Sequence, residues 1–397
     1  MNLLHRSQIR AVASFNDFVN SESCGYYKTF NETRYIYCDR LEIKHNVNYY
    51  SDKKKGKVQK ETKAVNIEDS EIYKFSNVFC RGVGSINKGQ DYIFTDHLIE
   101  NEGLYSDFDR FKELKLIKIQ DRLKVNFNGL GQCSLLPNDK IVSLIDGPVF
   151  LLSRSRDDAY SHFVWDTLPL LFYFFQLKEK ISNLKLLIPS CQESQFPSYK
   201  LEYLSALGVS SDDLIFKNID EVFFCRNIYV GRSISTNNQW IKPAGLDVLK
   251  GLRLQSLPKS KKPVIVYLDR NDERAGIRSL DNEEKIKDIC KRYGAEIFTP
   301  GKMSLKEKQE LFVRADIVVG QYGGGMQHQF LCKEKCRFIL LQSPNFFRYI
   351  HYFTSGFLKQ ATFSIVGVSK GTYNNANYIV DSAVFEDTLK RNIQLCG

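Results

Sequence analysis

The sequence lacks long apolar runs of the kind that anchor or export a protein. Its longest, residues 168–175, is far shorter than the roughly 20 residues that a membrane-spanning helix needs. The first 15 residues contain Arg6 and Arg10 but no apolar stretch of signal-peptide length. These absences predict a soluble chain, or one peripheral to a membrane at most.

The ten cysteines lack the spacing of a zinc site or a disulfide framework. None forms a Cys-x-x-Cys pair, and the closest two, Cys332 and Cys336, have no second pair to complete a zinc site. Unpaired thiols that are mostly buried are typical of a reducing compartment. We therefore predict a cytoplasmic location, with the thiols reduced.

Composition is that of a folded protein with a surplus of positive charge. Hydrophobic residues make up 43% and charged residues 26%, which argues against wholesale disorder. The net charge of +10 attracts anions, which include nucleic acid, an anionic membrane and a sugar nucleotide. The densest basic run, residues 53–55, is interpreted as a solvated loop rather than a lipid contact. Because the chain has no RNA-recognition signature and no zinc finger, we predict no nucleic-acid partner.

Three regions differ in their hydrophobic pattern. Residues 1–142 contain short β-like runs among polar residues and are interpreted as a β-rich N-terminal region. Strand-like and helix-like segments alternate in residues 143–255 and, more clearly, in residues 256–397. Such alternation is typical of parallel βαβ units. We predict an α/β fold with two Rossmann-like lobes behind the β-rich region.

Individual segments follow from periodicity and capping residues. Strands are predicted at residues 141–152 (interrupted at 146–148), 184–188, 222–230, 264–268, 295–298, 316–320 and 338–342, with helices at 161–180 and 198–207. Asp281 is predicted to cap one helix, and Ser304 with Glu307 forms a capping box at the start of another. A further helix is predicted to begin at Met326.

A glycine-rich loop, residues 320–325, leaves a hydrophobic strand and enters a predicted helix. Gly323, Gly324 and Gly325 let the backbone approach a ligand closely, and a helix N-terminus favours a diphosphate. The alternative is a tight turn that needs positive φ. The loop is neither a Gly-x-Gly-x-x-Gly motif nor a P-loop. We favour an anion site, because three adjacent glycines exceed what one turn requires.

Two arginines are predicted at the same edge as this loop. Arg270 and Arg278 follow the strand at 264–268, and guanidinium groups hold phosphate oxygens through two hydrogen bonds at any working pH. The alternative is surface ion pairs with Asp269, Asp272 and Glu273, which we favour for Arg274.

A third candidate is a histidine–carboxylate pair. His162 and Asp166 are four residues apart and would share one face of a helix that Pro169 interrupts. Such a group at the edge of a lobe can take a proton from an acceptor hydroxyl. The alternative is a helix-surface hydrogen bond, with Trp165 in the core.

Together these segments, from about residue 143 to 344, resemble glycosyltransferase family 61. The family has a His-aromatic-x-x-Asp-x-x-Pro stretch, which is matched by His162, Phe163, Asp166 and Pro169. It then has an arginine followed by an Asn-Glu pair, a glutamine-containing helix and a Gly-x-His-Gly-Ala-Gly loop. The matching residues are Arg278, Asn282, Glu283, Gln309 and the loop at 320–325. This chain departs from the family at Tyr322, where the family has the loop histidine, and His328 is not expected to replace it.

The resemblance implies a GT-B-like fold, with two lobes facing a cleft and the donor held mainly by the C-terminal lobe. Residues 143–255 would be the acceptor lobe and residues 256–397 the donor lobe. The implied enzyme inverts the anomeric centre and needs no metal or other cofactor. The only Asp-x-Asp spacing in the sequence, at Asp107 and Asp109, has no clear strand before it.

These observations predict an inverting glycosyltransferase that uses a nucleotide sugar. Asp166 would be the general base, with His162 as its orienting partner or as the base itself. The donor would be held by Arg270, Arg278, Asn282, Glu283, Tyr322, Gly323, Gly324 and Gly325. The resemblance further implies that the acceptor is a glycan or lipid-linked glycan of capsule or lipopolysaccharide synthesis, near the inner membrane. The alternative is a catalytically silent glycan- or nucleotide-binding protein of the same fold, which Tyr322 makes credible.

Overall fold

The computed structural model describes residues 8–11, 35–38, 41–51, 58–67, 70–81, 85–88, 91–94, 125–126, 132–134, 141–154, 159–188, 196–217, 222–231, 234–236, 240–255, 262–270, 278–369, 371–373 and 376–396. Strands in these residues are β1 (Gln8–Ala11), β2 (Tyr35–Cys38), β3 (Leu41–Ser51), β4 (Val58–Ile67), β5 (Ser70–Arg81), β6 (Ser85–Lys88), β7 (Asp91–Phe94), β8 (Val125–Asn126), β9 (Gln132–Ser134), β10 (Ile141–Leu151), β11 (Lys185–Ile188), β12 (Leu214–Phe216), β13 (Val222–Gly231), β14 (Ser235–Thr236), β15 (Trp240–Ile241), β16 (Ile265–Leu268), β17 (Glu296–Phe298), β18 (Ile317–Gln321), β19 (Arg337–Gln342), β20 (Ala361–Val366), β21 (Val368–Ser369) and β22 (Tyr378–Ile379). The α-helices are α1 (Tyr160–His162), α2 (Leu171–Lys178), α3 (Ser198–Ala206), α4 (Pro243–Lys250), α5 (Glu283–Arg292), α6 (Leu305–Arg314), α7 (Ile350–Phe357) and α8 (Ser382–Gln394).

The chain divides into two compact units that do not follow the predicted boundaries at residues 142 and 255. The first comprises Met1–Leu41 and Glu68–Thr236, and the second comprises Glu42–Ile67 and Asn237–Gly397. The β-rich N-terminal region is therefore shared between the units instead of forming a separate one. Its strands β3 and β4 belong to the sheet of the second unit.

The first unit is built on a sheet whose parallel part has a doubly wound order. Strands β12, β11, β10 and β13 lie side by side, and each neighbouring pair is parallel. If these four strands are numbered by their order along the chain, their order across the sheet is 3-2-1-4. The direction of winding therefore changes between β10 and β13. Strand β5 then pairs with β13 in the antiparallel direction, and the remaining N-terminal strands extend the sheet.

The first unit contains the two irregularities that the sequence predicts, one in a strand and one in a helix. The predicted interruption at 146–148 is a register shift between Ile145 and Pro148 within one continuous strand. A proline lacks the N–H of a regular ladder and is tolerated at such a bulge. The predicted helix at 161–180 is a composite, because a π-helical turn (Phe163–Thr167) and a 3₁₀ turn (Leu168–Leu170) separate α1 from α2. Pro169 lies in that 3₁₀ turn. Because proline has no backbone N–H, it cannot donate the hydrogen bond that a continuous α-helix would need at this position.

The second unit has a doubly wound sheet as well. Strands β17, β16, β18, β19 and β20 are neighbours in that order, and all their pairs are parallel. In chain order this is 2-1-3-4-5, with the change of direction between β16 and β18. Strand β3, from the N-terminal region, adds to β20 in parallel and is followed by β4.

Both faces of this second sheet are covered. Successive residues of a strand point to opposite faces, and every residue of β16 and β18 is buried. One face packs against α5 and α8 in an apolar cluster that includes Tyr267, Val319, Ile286 and Phe385. Such full burial agrees with the uninterrupted apolar runs from which these strands were predicted.

One of the two predicted helix caps is confirmed and the other is wrong. The side chain of Ser304 accepts from the backbone N–H of Glu307, and Glu307 bonds back, as a capping box requires. Asp281 does not cap α5, whose N-cap residue is Asn282. The carboxylate of Asp281 instead accepts a hydrogen bond from Asn377, 3.1 Å away. A contact distant in sequence thus replaces the local one.

Two whole-chain expectations concern the membrane and the thiols. No helix within the described ranges is long and apolar enough to cross a membrane. Six of the cysteines in those ranges carry free thiols, and five of these are buried, namely Cys80, Cys225, Cys290, Cys332 and Cys336. Burial raises the pKa of the Cys80 thiol to about 11, so it is a poor nucleophile at neutral pH.

Candidate functional site

The glycine loop of the second unit lies at the point where the winding of the sheet changes direction. It follows β18, whose last residue is Gln321, and leads into a 3₁₀ helix, Gly324–Leu331. The predicted helix at Met326 is therefore a 3₁₀ helix that begins two residues earlier and is kinked at His328. All six residues from Met326 to Leu331 are buried. The segment therefore lacks the solvent-exposed polar face that an amphipathic helix has. An anion site at the N-terminus of this helix, which begins at Gly324, stays a prediction.

Close packing, and not positive φ, explains Gly320 of this loop. Within the described residues, glycine has positive φ in the left-handed region only at Gly208 and Gly294. A β-carbon on Gly320 would lie 2.8 Å from Sδ of Met326 and 3.2 Å from Leu268. A β-carbon on Gly323 would lie 3.6 Å from Nε of Arg270. The tight-turn alternative is wrong for Gly323, whose φ of 172° is extended.

Arg270 lies over this loop from the neighbouring strand. It follows β16, and the change of winding direction falls between β16 and β18. Ligands of open α/β sheets bind outside the carboxyl ends of the strands at such a point. Asp269, the nearest carboxylate in sequence, pairs with Lys287 at 2.9 Å, and Arg270 forms no ion pair with a described carboxylate. Arg274, Asp272 and Glu273 lie outside the described residues.

Arg278 has a left-handed backbone, with φ of 55°. The guanidinium carbon of Arg278 lies 4.0 Å from the centroid of the Phe346 ring. Burial raises the pKa of Tyr378, and the positive charges of Arg270 and Arg278 oppose that rise. Both guanidinium groups are thus close enough to one buried phenol to act on it. Contacts with the glycine loop link the two arginines: Arg270 lies beside Gly323, and Arg278 lies on the Phe346 ring, which contacts Tyr322.

The Asn-Glu pair after Arg278 has partners inside the unit. The amide of Asn282 donates to Val380 O at 2.8 Å and accepts from Val380 N at 3.3 Å. Glu283 accepts from the hydroxyl of the buried Tyr267 at 2.9 Å. These bonds fix the start of α5, and a direct contact of either residue with a donor stays a prediction. Gln309 is similarly engaged, because its amide donates to Leu252 O.

Tyr322 is largely buried between two rings. It contacts Phe346 at 5.6 Å and His351 at 5.3 Å between ring centroids. His351 donates from Nδ1 to Gln329 Oε1 at 2.7 Å, and burial lowers the pKa of His351 to about 3. His328 is buried against Phe312 on α6 and donates to Gly325 O. Burial and the charge of Lys308 lower the pKa of His328 to about 3. Both histidines are therefore neutral at working pH.

In the first unit, His162 and Asp166 form the predicted pair. Nδ1 of His162 lies 2.7 Å from Oδ2 of Asp166 across the π-helical turn. The carboxylate is nearly buried, and its second oxygen, Oδ1, is buried without a hydrogen-bond partner among the described residues. A polar atom left in this state costs free energy, which makes it a ready acceptor for an incoming hydroxyl.

Residues that follow β10 and β13 form hydrogen bonds to the backbone around Asp166. These are the two strands between which the winding direction of the first sheet changes. Arg154, just after β10, donates from Nε to Asp166 O at 3.3 Å and from Nη2 to Ser235 O at 3.5 Å. Ser235, after β13, donates from its hydroxyl to Trp165 O. Trp165 is buried, as predicted for a core residue. The sequence reading missed Arg154 and Ser235, although each follows a predicted strand.

Comparison with known proteins agrees with the predicted resemblance. Residues 160–339 match the model of the family described as glycosyltransferase 61, which confirms that resemblance. No curated protein matches the chain. One similar solved structure is the dodecameric iron-containing heptosyltransferase TibC in complex with ADP-D-β-D-heptose. It is 12% identical, with 86% of this chain and 81% of that one covered, and its TM-score of 0.30 adds nothing to the assignment. The family match supports glycosyl transfer.

Proposed function

We propose that this chain, whose residues 160–339 match glycosyltransferase family 61, moves a sugar from a nucleoside-diphosphate sugar to a glycan hydroxyl with inversion. One observation carries the proposal. Two guanidinium groups, of Arg270 and Arg278, lie at the carboxyl ends of the parallel strands of the second unit. Arg270 lies beside the backbone of Gly323 there, at the position where such sheets bind phosphorylated ligands.

The guanidinium groups would offset the charge of the leaving diphosphate. As the bond between the anomeric carbon and the diphosphate breaks, negative charge grows on the departing oxygen. Arginine remains protonated throughout and binds phosphate oxygens through paired N–H groups. This supports a GT-B-like reaction that needs no bound metal. Full turnover after treatment with a chelator is expected, and loss that magnesium restores would contradict it.

Asp166 would act on the acceptor side. The acceptor oxygen forms a bond to the anomeric carbon from the face opposite the diphosphate, and its proton passes to Asp166. His162 holds Oδ2 of the carboxylate at 2.7 Å, which leaves the partnerless Oδ1 to receive that proton. We assign His162 the orienting role, because its Nδ1 is already engaged with the carboxylate.

The biological setting follows from the family resemblance alone. We propose that the acceptor is a glycan or lipid-linked glycan of capsule or lipopolysaccharide synthesis. The enzyme would work in the cytoplasm, with at most peripheral contact with the inner membrane.

The test is a panel of UDP-, GDP-, TDP- and CMP-sugars. A bound donor raises the melting temperature by mass action, and turnover is followed as release of the nucleotide. Stabilisation by one nucleoside-diphosphate sugar, with transfer to an acceptor, is the expected result. Stabilisation without transfer or hydrolysis would favour the silent binding protein that Tyr322 suggests. Stabilisation by the CMP-sugar alone would contradict the diphosphate site.

A further inference from the structure

Strand β16 and helix α5 are joined by two polar contacts in the second unit. The hydroxyl of Tyr267, on the strand, donates to Glu283, at the start of the helix, at 2.9 Å. Two residues further along the strand direction, Oδ2 of Asp269 lies 2.9 Å from Nζ of Lys287, which is four residues further along the helix. These spacings are those of neighbours on one face of a strand and on one face of a helix. The second contact therefore holds the chain just beyond the end of β16 against α5.

The ion pair of Asp269 with Lys287 is largely buried, since its side chains are 14% and 8% exposed. Burial by itself lowers the pKa of Lys287, but hydrogen bonds to Asp269 and Glu284 and the nearby carboxylates raise it further, so the ammonium group stays charged. Apolar residues of similar volume often stabilise a protein as much as a buried ion pair does. Stability alone therefore does not explain why two charges lie here.

The residue that follows this pair is Arg270, and its side chain lies on the opposite face. Successive residues of an extended chain point to opposite faces, and the backbone N–H of Asp269 continues the ladder by donating to Phe298 O of β17 at 2.7 Å. Asp269 faces α5, whereas Nε of Arg270 lies 3.6 Å from the position of a β-carbon on Gly323. Within the described residues, the guanidinium group of Arg270 has no hydrogen-bond or ion-pair partner. The backbone that the ion pair holds is thus what directs Arg270 over the glycine loop.

We propose that Asp269 and Lys287 are positioning residues for Arg270, and that their ion pair presents its guanidinium group to a phosphate of the bound nucleoside diphosphate. This rests on the proposed function, in which Arg270 offsets the charge of the leaving diphosphate. Without the pair, the arginine has to be ordered when the ligand binds, and ordering one long side chain lowers the affinity about tenfold. Both residues act through Arg270 and touch no ligand.

The experiment removes the pair with and without Arg270 and measures binding by titration calorimetry. The ligand is the one among ADP, GDP, UDP and CDP that binds the unaltered protein best. Asp269→Leu/Lys287→Met replaces both charges by apolar groups, because a single change of this kind would leave a buried charge without its partner. We expect its affinity to fall about tenfold. In an Arg270→Gln background the same two changes should alter the affinity by less than about twofold, because the group that they position is gone.

Two further variants separate positioning from general stability. Asp269→Asn keeps the shape of the side chain and leaves Lys287 paired with Glu284 at 3.0 Å, so it tests the inference even where the double variant does not fold. It should weaken binding about threefold or more, the effect of losing a charge-assisted hydrogen bond. The control is Arg314→Gln/Glu296→Gln, which removes an ion pair between α6 and the first residue of β17, at the opposite edge of the sheet. It should leave the affinity unchanged.

Each other outcome overturns the inference in a recognisable way. If neither the double variant nor Asp269→Asn weakens binding, the pair does not position Arg270, and the proposed function stands. If the double variant weakens binding equally with and without Arg270, the pair acts on the fold and not through the arginine. If Arg270→Gln itself leaves the affinity unchanged, the inference fails and the proposed function depends on Arg278 alone. If the unaltered protein binds none of the nucleotides, both fail together.

Discussion

At the scale of single residues, the least ordinary group is the carboxylate of Asp166. One of its oxygens is held by His162, and the other is buried without a partner among the described residues. A buried acceptor left open costs about 1–3 kcal/mol. A catalytic role is one explanation for such a group, which is why Asp166 is the residue on which the acceptor chemistry is proposed to depend.

The corresponding substitution is Asp166→Asn. It keeps the shape and a partner for His162 but removes the basicity, so kcat should fall about 10²- to 10⁴-fold. The melting temperature should change little. Asp146→Asn, an exposed carboxylate paired with Arg226 in the same unit, is the matched control. Unchanged turnover in a folded Asp166→Asn protein would remove Asp166 from the mechanism.

The sequence predicts contacts between residues that are close along the chain better than contacts between residues that are far apart along it. His162 and Asp166 are four apart, so helical geometry alone indicates that they meet. Arg154 also follows a predicted strand, but its contacts could not be predicted, because its acceptors are backbone oxygens of Asp166 and Ser235 that only the folded chain brings near.

At the scale of elements, Gly320 and Gly323 of the glycine loop differ in how much room they have for a side chain. A methyl group on Gly320 would lie 2.8 Å from Met326 Sδ and 3.2 Å from Leu268, whereas one on Gly323 would make ordinary contact with Arg270 at 3.6 Å. Two neighbouring glycines thus differ in what they permit.

Gly320→Ala and Gly323→Ala should therefore behave differently. Gly320→Ala should lower the free energy of unfolding by about 1–3 kcal/mol through overpacking. Gly323→Ala should change it by less than about 0.5 kcal/mol, while weakening nucleoside diphosphate binding, because a methyl group would stand on the backbone that the diphosphate is proposed to approach. Denaturant unfolding and calorimetry measure the two effects. Equal destabilisation by both would show that the loop is only a packing element.

Elements set by local chemistry were predictable, and elements set by distant partners were not. The Ser304 capping box needs only residues within one turn, and it is present. Asp281 has the same local signature, but Asn377 takes its carboxylate. The helix predicted from Met326 is present as a 3₁₀ helix, Gly324–Leu331, and nothing local in the sequence distinguishes this form from an α-helix.

At the scale of the whole molecule, two buried histidines make stability depend on pH. Both His328 and His351 have a pKa lowered to about 3, chiefly by burial, against 6.5 in the unfolded chain. The unfolded chain therefore binds more protons between these values. The stabilisation is complete above pH 6.5 and is lost as the pH falls from 6.5 towards 3.

Each histidine should lower the free energy of unfolding by about 2 kcal/mol between pH 7.5 and pH 5. The double variant His328→Asn/His351→Asn keeps a side-chain N–H donor at each position but cannot titrate. Its unfolding free energy should therefore fall by about 4 kcal/mol less over this range than that of the unaltered chain. Urea unfolding at a series of pH values checks this. Parallel pH profiles of the two proteins would refute it.

The membership of strands β3 and β4 was the main feature of the fold that the sequence could not predict. The alternation of strand and helix in residues 256–397 indicates a parallel sheet, and that sheet is present. Nothing local to residues 42–67 indicates that they extend it, because the pairing of Tyr49 with Ser364 is decided by the fit of two distant edges.

That pairing has a consequence for how the protein is made. Strand β3 leaves the ribosome about 300 residues before its parallel neighbour β20. During that time its open edge has no native partner in the second unit and is free to pair with another nascent chain. A fragment that starts at residue 237 would leave β20 as an uncovered edge. We therefore expect such fragments to aggregate, and the full chain to lose more to aggregation when its synthesis is slowed, because the edge of β3 then stays open for longer.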